Sequence, residues 1–116
     1  LLVDHRDTSR YLIFDHANTL CGWINKKSGE QKPEGFCYDP TLHESWAFGG
    51  VHVISPTLLR FMREDGWSGK FSIIPFYLSV CRKARLMASP INPDRYWFDI
   101  GKMETLQEAD HFLKSL

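Results

Sequence analysis

The segment spanning residues 46–56 places the strongest constraint on how this chain folds. Between residues 47 and 54 it is almost continuously apolar and rich in β-branched and aromatic residues, which is typical of a strand covered on both faces. We therefore predict a central strand here. Gly49 and Gly50 interrupt it, and glycine within a strand marks either a β-bulge or a close approach by a ligand or another backbone. The residues alone leave these two interpretations open.

Three helices are predicted in the second half of the chain. The first covers residues 56–64 and begins with Ser55 as N-cap and Pro56 in the first turn. The second begins after Ser72, and the third covers residues 104–113. The apolar residues expected to face the core are Leu58, Leu59, Phe61 and Met62 in the first helix, Ile73, Ile74, Tyr77, Leu78 and Cys81 in the second, and Leu106, Ala109, Phe112 and Leu113 in the third. Arg82, Lys83 and Arg85 are expected at the C-terminal end of the second helix.

Short β-rich runs supply the rest of the predicted sheet. Residues 10–15 and 20–25 are separated by a short polar run, of a length typical of a β-hairpin loop. The remaining predicted elements are short strands at residues 1–3, 86–88 and 96–100 and a long loop at residues 26–45. Strands that alternate with helices, together with an early hairpin, predict an α/β fold with a mixed sheet.

Composition bounds the class of protein. The chain has 116 residues, of which 43% are hydrophobic, so we expect a single domain over residues 1–116. Its 14 basic and 14 acidic residues cancel, which argues against binding to nucleic acid or to an anionic membrane. No apolar run approaches the roughly 20 residues of a membrane span. Three widely spaced cysteines predict neither a disulfide framework nor a zinc site, and favour a cytoplasmic protein.

Residues that carry chemistry are sparse. The five histidines show no metal-site spacing, and no serine lies in a nucleophile motif. Asp99 is the best-placed acidic residue, because it lies near the C-terminal end of a predicted strand, where open α/β sheets bind ligands. A carboxylate there suits Mg²⁺ together with phosphate oxygens, or it accepts hydrogen bonds from turn amides. Both interpretations of Asp99 remain open on composition.

A set of short motifs, in order, resembles a known enzyme family. The motifs are Asp-Thr-Ser-Arg-Tyr-Leu-Ile-Phe-Asp at 7–15, Leu-Cys-Gly-Trp at 20–23, Ala-Phe-Gly-Gly-Val-His-Val-Ile-Ser-Pro at 47–56, Gly-Lys-Phe-Ser-Ile-Ile at 69–74 and Trp-Phe-Asp-Ile-Gly-Lys at 97–102, followed by Glu104 and Leu106. Together they resemble the C-terminal half of bacterial sugar-1-phosphate nucleotidylyltransferases, of the mannose-1-phosphate guanylyltransferase-like and N-acetylmuramate-1-phosphate uridylyltransferase-like kinds.

The resemblance implies a Rossmann-like α/β/α fold of the nucleotide-diphospho-sugar transferase type with a mixed sheet, and a set of site residues. It implies that Asp99 binds Mg²⁺ and that Gly50, beside Gly49, lies against the sugar. His52 is two residues further along the same predicted strand, so it is expected to point the same way as Gly50 and to line the pocket. Lys32, before Pro33, resembles the lysine that reaches the sugar phosphate, although Gln31 stands in place of the family's glutamate. The implied partners are a nucleoside triphosphate and a sugar 1-phosphate. Pro75 stands where many relatives carry an aspartate.

The resemblance also implies that this chain is the sugar-binding half of a longer enzyme. The family's nucleotide loop and first metal aspartate precede the region matched here, so we expect no nucleotide transfer by this chain alone. Loss of that half would expose sheet edge and core, which predicts self-association. The alternative is a non-catalytic remnant of the fold that binds a ligand or a partner.

Overall fold

The computed structural model describes residues 1–90 and 103–116. The strands there are β1 (Leu2–Asp4), β2 (Arg10–Asp15), β3 (Leu20–Asn25), β4 (Gln31–Lys32), β5 (His43–Phe48) and β6 (Ser89–Pro90), and the helices are α1 (Pro56–Glu64), α2 (Ile73–Val80) and α3 (Met103–Lys114). The predicted strand at residues 96–100, and with it Asp99, lies outside the described residues.

The described strands form one mixed sheet. Its order is β4-β3-β2-β5-β1-β6. All neighbouring pairs are antiparallel except β1 and β6, which are parallel. This arrangement confirms the predicted α/β fold with a mixed sheet.

The β2–β3 hairpin has the predicted bounds. Its loop is closed by Asp15, whose Oδ1 accepts hydrogen bonds from the backbone N–H groups of Ala17 at 2.9 Å and Thr19 at 3.0 Å. Asn18 has a φ of 60°, a left-handed conformation that asparagine tolerates better than most residues. The polar loop residues therefore fix the turn, and the apolar strand residues on either side pair across it.

The predicted long loop at residues 26–45 is only partly a loop. Gln31 and Lys32 form β4, which pairs with β3, and β5 begins at His43. Strand pairing uses backbone groups, so these polar residues enter the sheet without the apolar alternation that identifies a strand in sequence. The connection between β4 and β5 is correspondingly shorter than predicted.

The predicted central strand is central, but it ends earlier than predicted. β5 lies between β2 and β1, and it ends at Phe48 rather than at Ile54. The residues after it are not covered on both faces, since Val53 is 95% exposed. Gly50 adopts a φ of 78°, which an extended strand does not accommodate. The apolar run therefore continues past the point where the backbone leaves the sheet.

Helix α1 confirms the predicted bounds, with Ser55 as N-cap and Pro56 at its start. Leu58 is buried as predicted, whereas Leu59 is 46% exposed, so its placement on the inner face is wrong. Helix α2 follows Ser72 as predicted but ends at Val80. The basic residues Arg82, Lys83 and Arg85 therefore lie beyond the helix rather than in its last turn.

Two predictions near the C-terminus are also wrong. The short strand lies at Ser89–Pro90 rather than at residues 86–88, where Met87 makes only an isolated bridge to Thr19. Helix α3 forms, but Leu106 is 43% exposed and Leu113 is 65% exposed. An amphipathic pattern identifies the face that a helix can bury, and it does not supply the surface that covers that face.

The described core lies between the sheet and helices α1 and α2. Its members are Val3, Leu12, Phe14, Leu20, Trp46, Leu58, Phe76, Tyr77, Val80, Cys81 and Leu86. Helix α2 contributes most of the large helical side chains, because Phe76, Tyr77 and Val80 are all fully buried. No helix in the described ranges is long and apolar enough to cross a membrane.

A glycine on β3 allows an aromatic side chain from the β4–β5 connection to lie flat on the sheet. A Cβ atom at Gly22 would lie 2.5 Å from Cδ1 of Phe36 and 2.7 Å from its Cγ. The ring therefore rests directly on the Gly22 backbone. Phe36 is half-buried there and also contacts His43, with ring centroids 5.4 Å apart.

We expect Gly22→Ala to lower the free energy of unfolding by about 1–3 kcal/mol, because the new methyl group overlaps the Phe36 ring. Urea unfolding measures this change. The matched variant is Gly22→Ala combined with Phe36→Ala, in which no ring remains to overlap the methyl group. A Gly22→Ala penalty of the same size with and without the Phe36 ring would contradict the packing described here.

Candidate functional site

The backbone after β5 forms a bulge against β1. The N–H of Gly49 donates to the carbonyl of Leu2 at 2.8 Å, and the N–H of Leu2 donates to the carbonyl of Val51 at 2.9 Å. Residues 49–51 therefore all lie opposite the single residue Leu2, and Gly50 has no partner among the described strands. We call residues 49–51 the glycine bulge. Extra residues opposite one residue bend a strand and redirect its side chains.

The two glycines have different roles in this bulge. A Cβ atom at Gly49 would lie 3.2 Å from the carbonyl oxygen of Leu2, so Gly49 allows the close approach of β1. Gly50 is exposed, and no described heavy atom lies within 4 Å of where its Cβ would be. Of the two predicted substrate-binding glycines, Gly49 thus allows the bulge to form, and Gly50 has open space around its Cβ position in the described part of the chain.

His52 follows the bulge and bonds to helix α2. Its Nδ1 shares a short hydrogen bond with the hydroxyl of Tyr77. The sequence predicts that His52 and Gly50 share a strand face, and that reasoning is wrong because β5 ends before both residues. They are nevertheless close along the chain, and both are exposed.

Phe48, His52 and Tyr77 form a cluster that we call the aromatic triad. The ring centroids of His52 and Tyr77 are 5.8 Å apart at an interplanar angle of 89°, and those of Phe48 and His52 are 6.0 Å apart. Tyr77 is fully buried and packs against Phe76 of the core. The triad therefore fixes an exposed histidine to a rigid part of the fold.

A charged pair supports the end of β5. The guanidinium of Arg6 donates from Nη2 to the carbonyl of Phe48 at 2.9 Å, and its Nε lies 3.9 Å from Oδ1 of Asp4. Asp4 is buried, and its Oδ2 has no hydrogen-bond partner among the described residues. Arg6 thus brings a cation to the backbone from which the glycine bulge departs.

Lys32 lies apart from the glycine bulge. Its Nζ is 3.5 Å from Oε1 of Glu30 and 5.2 Å from the centroid of the Trp23 ring. It lines a cavity of about 390 Å³, together with Arg10 on the neighbouring part of the sheet. Residues Ile74, Pro75 and Leu78 of α2 line the same cavity, which places Pro75 near Lys32.

The residues after His52 border a second cavity, of about 750 Å³. Its lining includes Val53, Ile54 and Ser55, together with the basic residues Lys83 and Arg85. Gly50 and His52 are not among the described residues that line either cavity. The structure thus brings Gly49, Gly50 and His52 together on one turn, and it separates them from Lys32.

The predicted Mg²⁺ site has no matching cluster of protein ligands among the described residues. No group of three or more histidine, cysteine, aspartate or glutamate residues in the described ranges is arranged to hold a metal ion. Mg²⁺ needs several oxygen ligands in octahedral geometry. The predicted ligand Asp99 lies outside the described residues, so the prediction of a Mg²⁺ site still rests on the sequence.

The main residue that the sequence analysis missed at this site is Tyr77. Its helical spacing places it in the core, and the structure confirms that burial. Nothing in the spacing indicates that its hydroxyl reaches His52, which is 25 positions away in the chain. The useful signal is the chemistry of tyrosine, because a buried hydroxyl needs a hydrogen-bond partner.

The burial of Tyr77 makes stability depend on pH in the alkaline range. Burial raises the pKa of Tyr77. The folded protein therefore keeps this proton at a pH where the unfolded chain, with a tyrosine pKa of about 10, loses it. Stability from this group is complete below about pH 10 and falls as pH rises toward the folded-state pKa.

We expect Tyr77→Phe to weaken this alkaline loss of stability, which urea unfolding between about pH 9 and pH 11 measures. The matched control is Tyr38→Phe, which removes a hydroxyl outside the aromatic triad. Parallel losses in wild type and Tyr77→Phe across that range would contradict the environment described for Tyr77.

Comparison with known proteins identified no matching family model, no matching curated protein and no matching solved structure.

Proposed function

We propose that this chain supplies the sugar-binding part of a sugar-1-phosphate nucleotidylyltransferase with a Rossmann-like fold. Such an enzyme joins a nucleoside triphosphate and a sugar 1-phosphate to give a nucleoside diphosphate sugar and pyrophosphate. The observation that carries the proposal is the exposed, left-handed backbone at Gly50. Gly50 is exposed at a φ of 78°, with open space where a side chain would stand, within the motif at residues 47–56 that carries the resemblance.

The surroundings of Gly50 suit a sugar. An unshielded peptide offers an N–H and a carbonyl to ring hydroxyl groups, and no side chain at residue 50 prevents close approach. His52, two residues further on, adds a polar ring nitrogen on the same exposed turn. Both residues are held on rigid elements, since the bulge bonds to β1 and His52 bonds to α2.

The proposed reaction needs no protein nucleophile. An oxygen of the sugar phosphate attacks the α-phosphorus of the nucleoside triphosphate, and a phosphorus–oxygen bond forms there. The bond from the α-phosphorus to the bridging oxygen breaks, and pyrophosphate leaves with the electron pair. Positioning and charge neutralisation supply most of the catalysis in such transfers. Gly50 and His52 would hold and orient the sugar.

Two further residues keep proposed roles that the sequence motifs support. Asp99 is the proposed Mg²⁺ ligand, and the ion would neutralise phosphate charge when bound. Lys32 is the proposed contact to the sugar phosphate. In the structure Lys32 is exposed and paired with Glu30, and it lies in a different cavity from the residues beside the bulge.

We also propose a cytoplasmic protein that associates with itself. Cys21, Cys37 and Cys81 are all free, which suits a reducing compartment. Large apolar side chains are exposed in the glycine bulge and on the turn after it, where Val51 is 51% exposed and Ile54 is 40% exposed. Such surfaces favour association.

The test is pyrophosphate release from GTP, UTP, CTP and dTTP, each with mannose, glucose or N-acetylmuramate 1-phosphate and Mg²⁺. It is carried out on this chain and on the product of the complete gene that contains it. We expect activity in the complete product, its loss in Asp99→Ala, and none from the 116-residue chain alone. A complete product inactive with every pair would contradict the proposal and favour a non-catalytic binding module.

A matched pair of glycine variants isolates the role of Gly50 in the same assay. Gly50→Ala and Gly29→Ala both place a methyl group at a positive φ, of 78° and 80°, and neither methyl group meets a described atom within 4 Å. The backbone strain is therefore alike, at about 1–2 kcal/mol. We expect Gly50→Ala alone to raise the KM for the sugar phosphate, by about tenfold. Equal effects on KM would contradict the placement of the sugar at Gly50.

A further inference from the structure

The hydrogen bond between Tyr77 and His52 has two possible directions. In one, the tyrosine hydroxyl donates to Nδ1, and the neutral imidazole carries its proton on Nε2. In the other, Nδ1–H donates to the tyrosine oxygen, and Nε2 is a bare acceptor. Nε2 is a hydrogen-bond donor in the first case and an acceptor in the second. The direction of the bond to Tyr77 therefore decides whether His52 binds a ligand acceptor or a ligand donor.

The contacts of Tyr77 favour the first direction. Its hydroxyl has no other hydrogen-bond acceptor among the described residues, and its side chain is fully buried. If Nδ1–H were the donor, the hydroxyl proton would lack a described partner, which is costly at a buried position. Donation from the hydroxyl to Nδ1 satisfies both groups with one bond.

Burial raises the pKa of Tyr77, so the hydroxyl keeps the proton that donation to Nδ1 requires. His52 is exposed, and its Nε2 has no hydrogen-bond partner in the described ranges. The two ring nitrogens lie on different sides of the imidazole. Nε2 is therefore directed away from the Tyr77 hydroxyl.

We infer that Tyr77 is a positioning residue that holds His52 as its Nε2–H tautomer, so that His52 donates a hydrogen bond to a ligand oxygen beside Gly50. The class of ligand is one with accessible hydroxyl or phosphate oxygens, and the inference that this ligand is a sugar 1-phosphate rests on the proposed function. Fixing a tautomer through the second ring nitrogen is how proteins preset histidine for one role.

The tautomer is measured first, on the 116-residue chain without ligand, by nitrogen-15 NMR of the histidine rings. At a pH where His52 is neutral, we expect a protonated Nε2 and an unprotonated Nδ1. In Tyr77→Phe we expect the two tautomers to mix, whereas Tyr11→Phe, which removes a hydroxyl that bonds only to Thr8 among described residues, should leave His52 unchanged. A protonated Nδ1 in the wild type would overturn the inference, even if Tyr77→Phe does not fold.

Two substitutions of His52 then test whether Nε2–H donates a hydrogen bond to the ligand. His52→Gln places an amide N–H near the position of Nε2, and His52→Asn places it near Nδ1. In titrations with mannose 1-phosphate, we expect His52→Gln to stay within about threefold of the wild-type affinity and His52→Asn to lose about tenfold. Equal losses in both variants would overturn the donor role.

The NMR measurement of the tautomer and the titration with sugar 1-phosphates have independent outcomes. A fixed Nε2–H tautomer in a chain that binds none of the sugar 1-phosphates would leave the positioning role of Tyr77 standing and would contradict the proposed function. Binding of a sugar 1-phosphate with a mixed or Nδ1–H tautomer would support the proposed function and overturn the role of Tyr77.

Discussion

The pairing of Leu2 with both Gly49 and Val51 is the constraint on which the candidate site depends. Because Leu2 of β1 bonds to both Gly49 and Val51, three residues of the chain after β5 lie opposite one residue of β1, and Gly50 lies out of the sheet. The backbone then turns toward α2, where His52 meets Tyr77. Gly49 allows the strands to come close enough for this pairing, and Gly50 adopts the positive φ that the turn requires. The exposed part of the site thus follows from hydrogen bonds within the sheet.

Helix α2 connects the two regions to which the sequence motifs assign ligand contacts. Tyr77 holds His52 on the side of the glycine bulge. Ile74, Pro75 and Leu78 line the cavity that contains Lys32. Because Phe76, Tyr77 and Val80 are fully buried, the helix is fixed to the core and cannot shift without disturbing it. A ligand that touched both regions would therefore meet a rigid element between them.

The sequence predicted most of the elements and only part of the site. The hairpin bounds and helix α1 follow from local signals, namely polar turn residues between β-rich runs and the Ser55–Pro56 start of a helix. The end of β5 could not be predicted from local signals, because the apolar run continues through residues 51–54 after the backbone has left the sheet. Tyr77 was placed correctly in the core, but its bond to His52 is a long-range contact that no local pattern carries. Glycines within the strand pattern predicted a bulge or a close approach, and the structure shows the bulge, whereas the sugar contact of Gly50 comes from the resemblance and stays a prediction.

We propose that Gly50 and His52, held by the bulge and by Tyr77, form the surface that meets the sugar phosphate. The most direct measurement is the change in backbone amide NMR shifts of this chain on titration with mannose, glucose and N-acetylmuramate 1-phosphates. We expect the largest saturable shifts at residues 49–52, with smaller shifts in α2. Shifts confined to residues 30–33, or no saturable shift with any of the three sugar phosphates, would contradict the proposed role of Gly50 and His52.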